Sequence, residues 1–345
     1  MKAYLTWITL AFTLMSGSAS SQSYSIGVYY FPGWRTGQKA APATEPWQRL
    51  KAFKEREPML GWYDDGAVDV MNQQLGWMHD YGLTYVAFDW YWGGGKVHLE
   101  HGLRAYFAAA NRSKVPFALL WANHDEAPTS AADFEAMVRY WIDNYFRRTE
   151  MFKVDGRPVV FILDHQHLNN RAKRFGTDAA TLLGKAQEMA KAAKLPPIFF
   201  VGSTFNNPKA STLGYDATST YNYHGLHRPS RSYAELTSDY RKIWQFQMGR
   251  HGVPYIVPMT QGWDRRPWGG SKDPEHDRSG GDLATFESHL RAARDFMDAN
   301  PSQTRRLGVI CCWNEFGEGS YIEPTKAGGF GYLEKVRDVF AGHPK

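Results

Sequence analysis

Short apolar runs recur along the chain, and nearly every one stops at an acid, an amide or a histidine. The runs cover residues 24–31, 84–88, 116–121, 158–163, 198–202, 215–221, 255–259 and 307–313. Amphipathic stretches separate most of them, at about residues 67–81, 99–111, 131–147, 178–193, 233–250 and 283–297, with a last one near 331–340. In the first, Val70, Met71, Gln74, Leu75 and Met78 share one helical face and Gly82 supplies a C-terminal stop. Eight strand-like runs alternating with helices give the (β/α)8 pattern, a parallel TIM barrel inside a helical shell. With 345 residues, the chain accommodates this as one catalytic domain over residues 21–345. An open doubly wound sheet is the alternative. No strand-like run leads into G-x-G-x-x-G, and Gly93-Gly94-Gly95 lacks both that spacing and a Walker lysine.

The residues that end the runs are Asp89, Asn123, His124, Asp164, His165, Tyr223, His224, Gln261, Asp264, Asn314 and Glu315. In a parallel barrel those ends share one face, where active sites sit. Taken singly, Asp125, Asp164 and Asp264 read as helix caps or turn residues; the recurrence is what points to a site. Aromatic content is 15%, from 13 Trp, 19 Tyr and 20 Phe, and many of these rings stand beside glycine, asparagine and histidine. Flat apolar faces next to polar groups suit sugar rings. The expected sugar-binding aromatics are Tyr30, Trp34, Trp90, Tyr91, Trp92, Tyr221, Tyr223, Trp263 and Tyr321. Asp89, Asn123, His124, His224, Gln261 and Asn314 are the expected polar partners.

The last run ends in Asn314-Glu315-Phe316-Gly317-Glu318. Two carboxyls beside aromatic platforms fit glycoside cleavage, where one protonates the leaving oxygen and the other acts as base or nucleophile. Their separation distinguishes retention, about 5 Å, from inversion, about 6.5–9.5 Å. Glu323, before Pro324, is a third acid that has the alternative of pairing with an arginine.

Other chemistries have less support. The pairs His98/His101, His165/His167 and His224/His227 lack an H-E-x-x-H setting and read as hydrogen-bonding histidines, so neither metal nor cofactor is called for. No G-x-S-x-G elbow exists. The 40 basic and 35 acidic residues are scattered, without the concentrated stripe of a nucleic-acid binder. The expected partner is an oligosaccharide or polysaccharide, and the chain is expected to act as a monomer.

Lys2, an apolar stretch at residues 5–15 and small residues at 16–20 have the layout of a secretory signal peptide over residues 1–20. That predicts a periplasmic or secreted protein without a membrane span in its mature part. Cys311 and Cys312 are the only cysteines. As neighbours on a strand they point to opposite faces, so no ordinary disulfide is expected between them.

The motif W-N-E-F-G-E-G-S-Y-I-E-P at residues 313–324 resembles the signature of glycoside hydrolase family 99 and its WbsX-like relatives. V-Y-Y-F-P-G-W at 28–34, P-M-L-G-W-Y-D at 58–64 and F-D-W-Y-W at 88–92 are similar to that group too. The resemblance implies a (β/α)8 barrel without a required metal and, in the characterised branch, endo-acting cleavage of α-mannosides. There the first glutamate helps the substrate's own 2-hydroxyl attack the anomeric carbon, giving a 1,2-anhydro sugar. The second protonates the leaving oxygen and then activates water. Carried over, Glu315 is the base and Glu318 the general acid/base. The characterised branch has tryptophan and histidine between its glutamates; Phe316 and Gly317 stand here, and Gly317 matches the WbsX-like relatives. Many of those relatives are associated with polysaccharide clusters and labelled glycosyltransferases. A non-catalytic carbohydrate-binding barrel and a glycosyltransferase or transglycosylase therefore stand as alternatives to a retaining hydrolase.

Overall fold

A computed structural model describes residues 23–37, 45–124, 126–203, 210–223, 228–250 and 252–341. The leader expected at residues 1–20, together with Asp125, His224 and His227, lies outside the described residues. Eight parallel strands form the sheet: β1 Ser25–Tyr30, β2 Tyr85–Gly93, β3 Phe117–Trp121, β4 Arg157–Ile162, β5 Phe199–Gly202, β6 Ala217–Thr218, β7 Val257–Thr260 and β8 Leu307–Cys311. They lie side by side in chain order from β1 to β6, and β8 joins β1 to β7. Between β6 and β7 the sheet is completed by a parallel bridge, Thr218 to Tyr255. There the Thr218 N–H donates to the Pro254 carbonyl at 3.0 Å, and the Ile256 N–H donates to the Thr218 carbonyl at 2.9 Å.

The side-chain period of two sorts the strands into two layers. Tyr29, Tyr85, Ala87, Ala118, Leu120, Phe161, Val201 and Val309 pack together inside the barrel. Their neighbours Val28, Tyr30, Val86, Phe88, Leu119, Val160, Phe200 and Ile310 pack outward against the helices. Both faces of a parallel sheet are covered, which is why the runs read as continuous rather than alternating. Gly27 is a glycine because the Tyr85 ring crosses the barrel at its Cα: an added Cβ would lie 2.2 Å from that ring.

Helices Val68–Asp80, Ala131–Trp141, Ala179–Ala192, Tyr233–Gln247 and Leu283–Ala299 follow the expected order. Ser130, Ser232, Asp178 and Asp282 cap four of them by accepting the N–H three residues on. One helix, His165–Arg174, was not expected, and Asp164 caps it. Asp164 thus takes the helix-cap role. The expected sixth run shortens to two residues, so Tyr221 sits beyond its strand rather than in it. No described helix is long and apolar enough to cross a membrane.

The expectation for the cysteines is overturned. Cys311 and Cys312 form a disulfide with each other, across a cis peptide bond. β8 ends at Cys311, so the alternation that separates neighbouring side chains stops between the two. Both are buried in the barrel interior.

Candidate active site

Both glutamates stand on one small hairpin. Asn314–Glu315 pairs antiparallel with Ser320–Tyr321, and residues 316–319 form the turn. The Glu318 N–H donates to the Glu315 carbonyl at 3.1 Å. Gly319 takes φ +68°, and Asp264 lies 2.8 Å from where its Cβ would be. Only glycine accepts both the left-handed conformation and that approach.

Neighbouring elements hold the hairpin. Asn314 grips the end of β1: its Oδ1 accepts from the Phe31 N–H at 2.8 Å and its Nδ2 donates to the Phe31 carbonyl at 3.0 Å. The Asp264 N–H donates to the Glu318 carbonyl at 2.7 Å. Arg56, 4% exposed, donates to the carbonyls of Phe316 and Asp264 at 2.8 and 3.0 Å and pairs with the Asp264 carboxylate. Arg266 pairs with the same carboxylate at 2.6 Å. Asp264 is therefore structural, its carboxyl held below the ordinary range by its two arginines against the opposing effect of burial.

The chemistry gathers around Tyr221. Its hydroxyl lies 2.9 Å from Asp89 Oδ2 and 2.9 Å from Glu315 Oε1. Asp89 is each time the inward residue of β2, two on from Ala87 and four on from Tyr85. Asp89 and Glu315 are both 5% exposed, and Asp89 Oδ1 and Glu315 Oε2 are buried without a hydrogen-bond partner among the described residues. The Tyr29 ring backs Tyr221 at 4.9 Å.

Burial pushes the Glu315 carboxyl well above the ordinary range, and the charges of Glu318 and Asp89 push it further. Asp89 is raised by burial, with the Tyr221 hydrogen bond opposing and Glu318 adding. Glu318 is raised to about 7 by burial, against the Arg265 charge. The site thus holds three carboxyls coupled through charge, all shifted toward the protonated form, with Glu318 at about 7. Two carboxyls placed for proton transfer thus stand within one hairpin.

Of the expected sugar-binding residues, Asp89 and Tyr221 cluster with Glu315; Tyr91, two residues on from Asp89 in β2, brings its ring to His124 at 5.8 Å. His124 is exposed at that edge. Trp90 and Trp92 face the other way and donate to the Tyr145 hydroxyl at 3.0 Å and to Asp133 at 2.8 Å in the helical layer. Tyr30 likewise turns outward, to Gln74 at 3.1 Å. Asn123 ties β3 to β4 through the Asp164 backbone at 2.7 and 2.8 Å. Gln261 donates to the Gly281 carbonyl at 3.0 Å, Trp263 stacks on His276 at 5.6 Å, and Tyr223 meets Tyr240 at 6.0 Å.

Trp34 belongs to an aromatic cluster beside the hairpin, stacked on Trp47 at 3.9 Å, with Phe31, Tyr63 and Phe316. Tyr321 joins it at 4.6 Å from Phe316. Among the described residues Glu323 pairs with no arginine: it is buried, accepts from Tyr63 at 2.6 Å and Gln74 at 3.0 Å, and is pushed up to about 8 by burial. The sequence did not reveal Arg56, Arg265, Trp47 or Trp268; all lie in long connections, where the presence of tryptophan beside glycine and proline was the available signal.

The family described as "Glycosyltransferase WbsX" matches residues 31–336. The chain is 24% identical to the "Uncharacterized protein WxcX" of Xanthomonas campestris pv. campestris (strain B100), over 91% of this chain and 47% of that protein. It thus spans about half the length of the curated relatives it matches. Among solved structures, a family 99 endo-α-mannosidase from Bacteroides thetaiotaomicron superposes with a TM-score of 0.66 at 16% identity, over 92% of this chain and 97% of that one. A glycoside hydrolase-like protein gives 0.66 at 15%, over 92% and 94%. The family 1 β-glucosidase of Thermotoga maritima gives 0.53 at 10%, over 91% and 97%. These likenesses share the barrel fold.

Proposed function

The chain belongs to the WbsX family, and from that premise we propose that it is an exported retaining glycoside hydrolase acting on a polysaccharide or glycan. The observation that carries this is the pairing of Glu318, raised to about 7, with the buried Glu315 on a single hairpin at the barrel's end. Glu318 has the environment of a general acid that keeps its proton at working pH. Glu315, with Oε2 unpartnered, takes the role of the group receiving a proton from the likeness of its motif to family 99.

The steps follow the 2-hydroxyl route. Glu318 protonates the glycosidic oxygen while Glu315 takes the proton of the sugar's 2-hydroxyl, whose oxygen attacks the anomeric carbon. The leaving group departs and a 1,2-anhydro sugar remains. Glu318, now ionised, takes a proton from water. That water opens the anhydro ring at the anomeric carbon, and Glu315 returns its proton to the 2-oxygen. Two inversions give net retention. Endo action on α-mannoside-like linkages is the finer form of this proposal, supported by the likeness of its last motif to family 99. Residues 1–20, with their leader-like composition, support export.

The family's description favours a second reading, a glycosyltransferase or transglycosylase. One experiment decides: digestion of a glycan library, with products analysed by mass spectrometry and anomer-resolved NMR. The hydrolase gives shortened glycans of retained configuration, and Glu315→Gln and Glu318→Gln each abolish them while the fold persists. Full activity in both variants, or turnover only with a nucleotide-sugar donor, overturns the proposal. Glycan affinity without any turnover points to a non-catalytic barrel.

A further inference from the structure

Tyr221 brings one hydroxyl proton to two carboxyl oxygens. Its oxygen stands 2.9 Å from Asp89 Oδ2 and 2.9 Å from Glu315 Oε1. A phenol donates once. If both carboxyls were ionised, one of the two contacts would set oxygen against oxygen without a hydrogen between them, beside two carboxyls that are each 5% exposed. Both contacts become hydrogen bonds only when one carboxyl carries a proton and donates it to the Tyr221 oxygen. The geometry therefore requires one proton beyond the tyrosine's own.

The surroundings favour that extra proton. The ionisable groups that act on Asp89, or on which it acts, are Tyr29, Tyr221, Glu315 and Glu318. None is a cation, and the Arg265 charge acts on Glu318. A second negative charge among these buried groups has nothing described to offset it.

We propose that Asp89 holds this proton and, acting through Tyr221, keeps Glu315 an ionised base. Asp89 Oδ2–H donates to the Tyr221 oxygen, and the Tyr221 O–H donates to Glu315 Oε1. The chain of donors leaves Glu315 charged, with the unpartnered Oε2 as the oxygen that takes up the proton. No proton leaves Asp89 during turnover; it is a positioning residue that fixes which carboxyl is charged. The opposite direction, with Glu315 protonated, would leave the base already occupied. That choice of direction rests on the role given to Glu315 above, whereas the shared proton rests on the hydroxyl geometry.

The test is infrared spectroscopy of the whole protein without substrate near neutral pH, unlabelled and with carbon-13 aspartate. A carbonyl band of a protonated carboxylic acid is expected that moves on aspartate labelling. It should vanish in Asp89→Asn, and in labelled Tyr221→Phe it should shift, because its acceptor is gone. Thermal melts establish that each variant is folded, and the wild-type and Tyr221→Phe spectra stand if Asp89→Asn does not fold. Absence of any aspartate-sensitive band in the wild type overturns the proposal, as does a band unchanged in both folded variants. Because no substrate is used, the two readings fail separately. Hydrolysis without the band removes the proton from Asp89, and the band without hydrolysis removes the hydrolase.

Discussion

The indole of Trp268 occupies the space that a side chain at Gly317 would need: a Cβ on Gly317 would lie 2.1 Å from Trp268 Cε2. The residue between the two glutamates is thus glycine because a ring from the preceding connection already covers it. That ring also meets Phe31 edge-on at 5.9 Å. Gly317→Ala should destabilise the protein by about 1–3 kcal/mol through overpacking. In a Trp268→Ala background the same change should cost much less, since the opposing atoms are gone. A double-mutant cycle by urea denaturation measures this coupling, and additive costs would show that the two positions do not compete for space.

Glu318 must hold its proton to act as the acid, so kcat/KM should fall as pH rises through about 7. The Arg265 charge favours the ionised form and lowers that limit. Arg265→Ala should move the alkaline limb to higher pH, and Arg265→Lys should leave it near the wild type. Full pH–rate profiles of the three proteins give the comparison; a limb that moves down on losing the charge would contradict the assignment.

Tyr221→Phe removes the one hydroxyl between Asp89 and Glu315 and leaves both carboxyls without that partner. Stability should fall by about 1–3 kcal/mol, the cost of unsatisfied buried polar groups. Activity should fall by about 100-fold or more, the scale of a lost acid–base contribution. Activity close to wild type in the folded variant would separate Tyr221 from the chemistry.

His289 lies outside the site, stacked on Trp244 at 5.3 Å and accepting from the Thr260 N–H at 3.3 Å. Burial, helped by the Arg241 charge, lowers its pKa from 6.5 to about 3. The folded state refuses a proton that the unfolded chain takes up below about 6.5, so stability should fall as pH falls through that value. The slope is about 1.4 kcal/mol per pH unit for one such group. Urea denaturation at about pH 7 and about pH 5 should show that loss, and His289→Gln, which keeps an acceptor, should reduce it.

The repeated runs were enough to find the barrel, because a buried parallel strand must be apolar on both faces. They were less able to sort aromatics. Trp90 and Trp92 end the same run as Asp89 and Tyr91, and as rings beside glycines they read as sugar platforms. Counting in twos from Tyr85 sends Asp89 and Tyr91 inward and both tryptophans to the helices. Trp268 over Gly317, and Arg56 on the carbonyls of Phe316 and Asp264, were out of reach for a different reason. They are contacts across 49 and more than 200 residues, set by how long connections fold over the barrel end. The apolar run continues to Trp313 but the strand ends at Cys311, so strand alternation does not separate the two cysteines.

The alternation in β2 also limits how this family of sequences can vary. Side chains there can be exchanged one at a time, but the spacing cannot. A single-residue insertion or deletion between Tyr85 and Asp89 would turn the strand's faces over, putting indoles into the barrel mouth and a carboxyl into the apolar helix layer. Length changes should be confined to the connections, and the five letters F-D-W-Y-W should be inherited as one indivisible block.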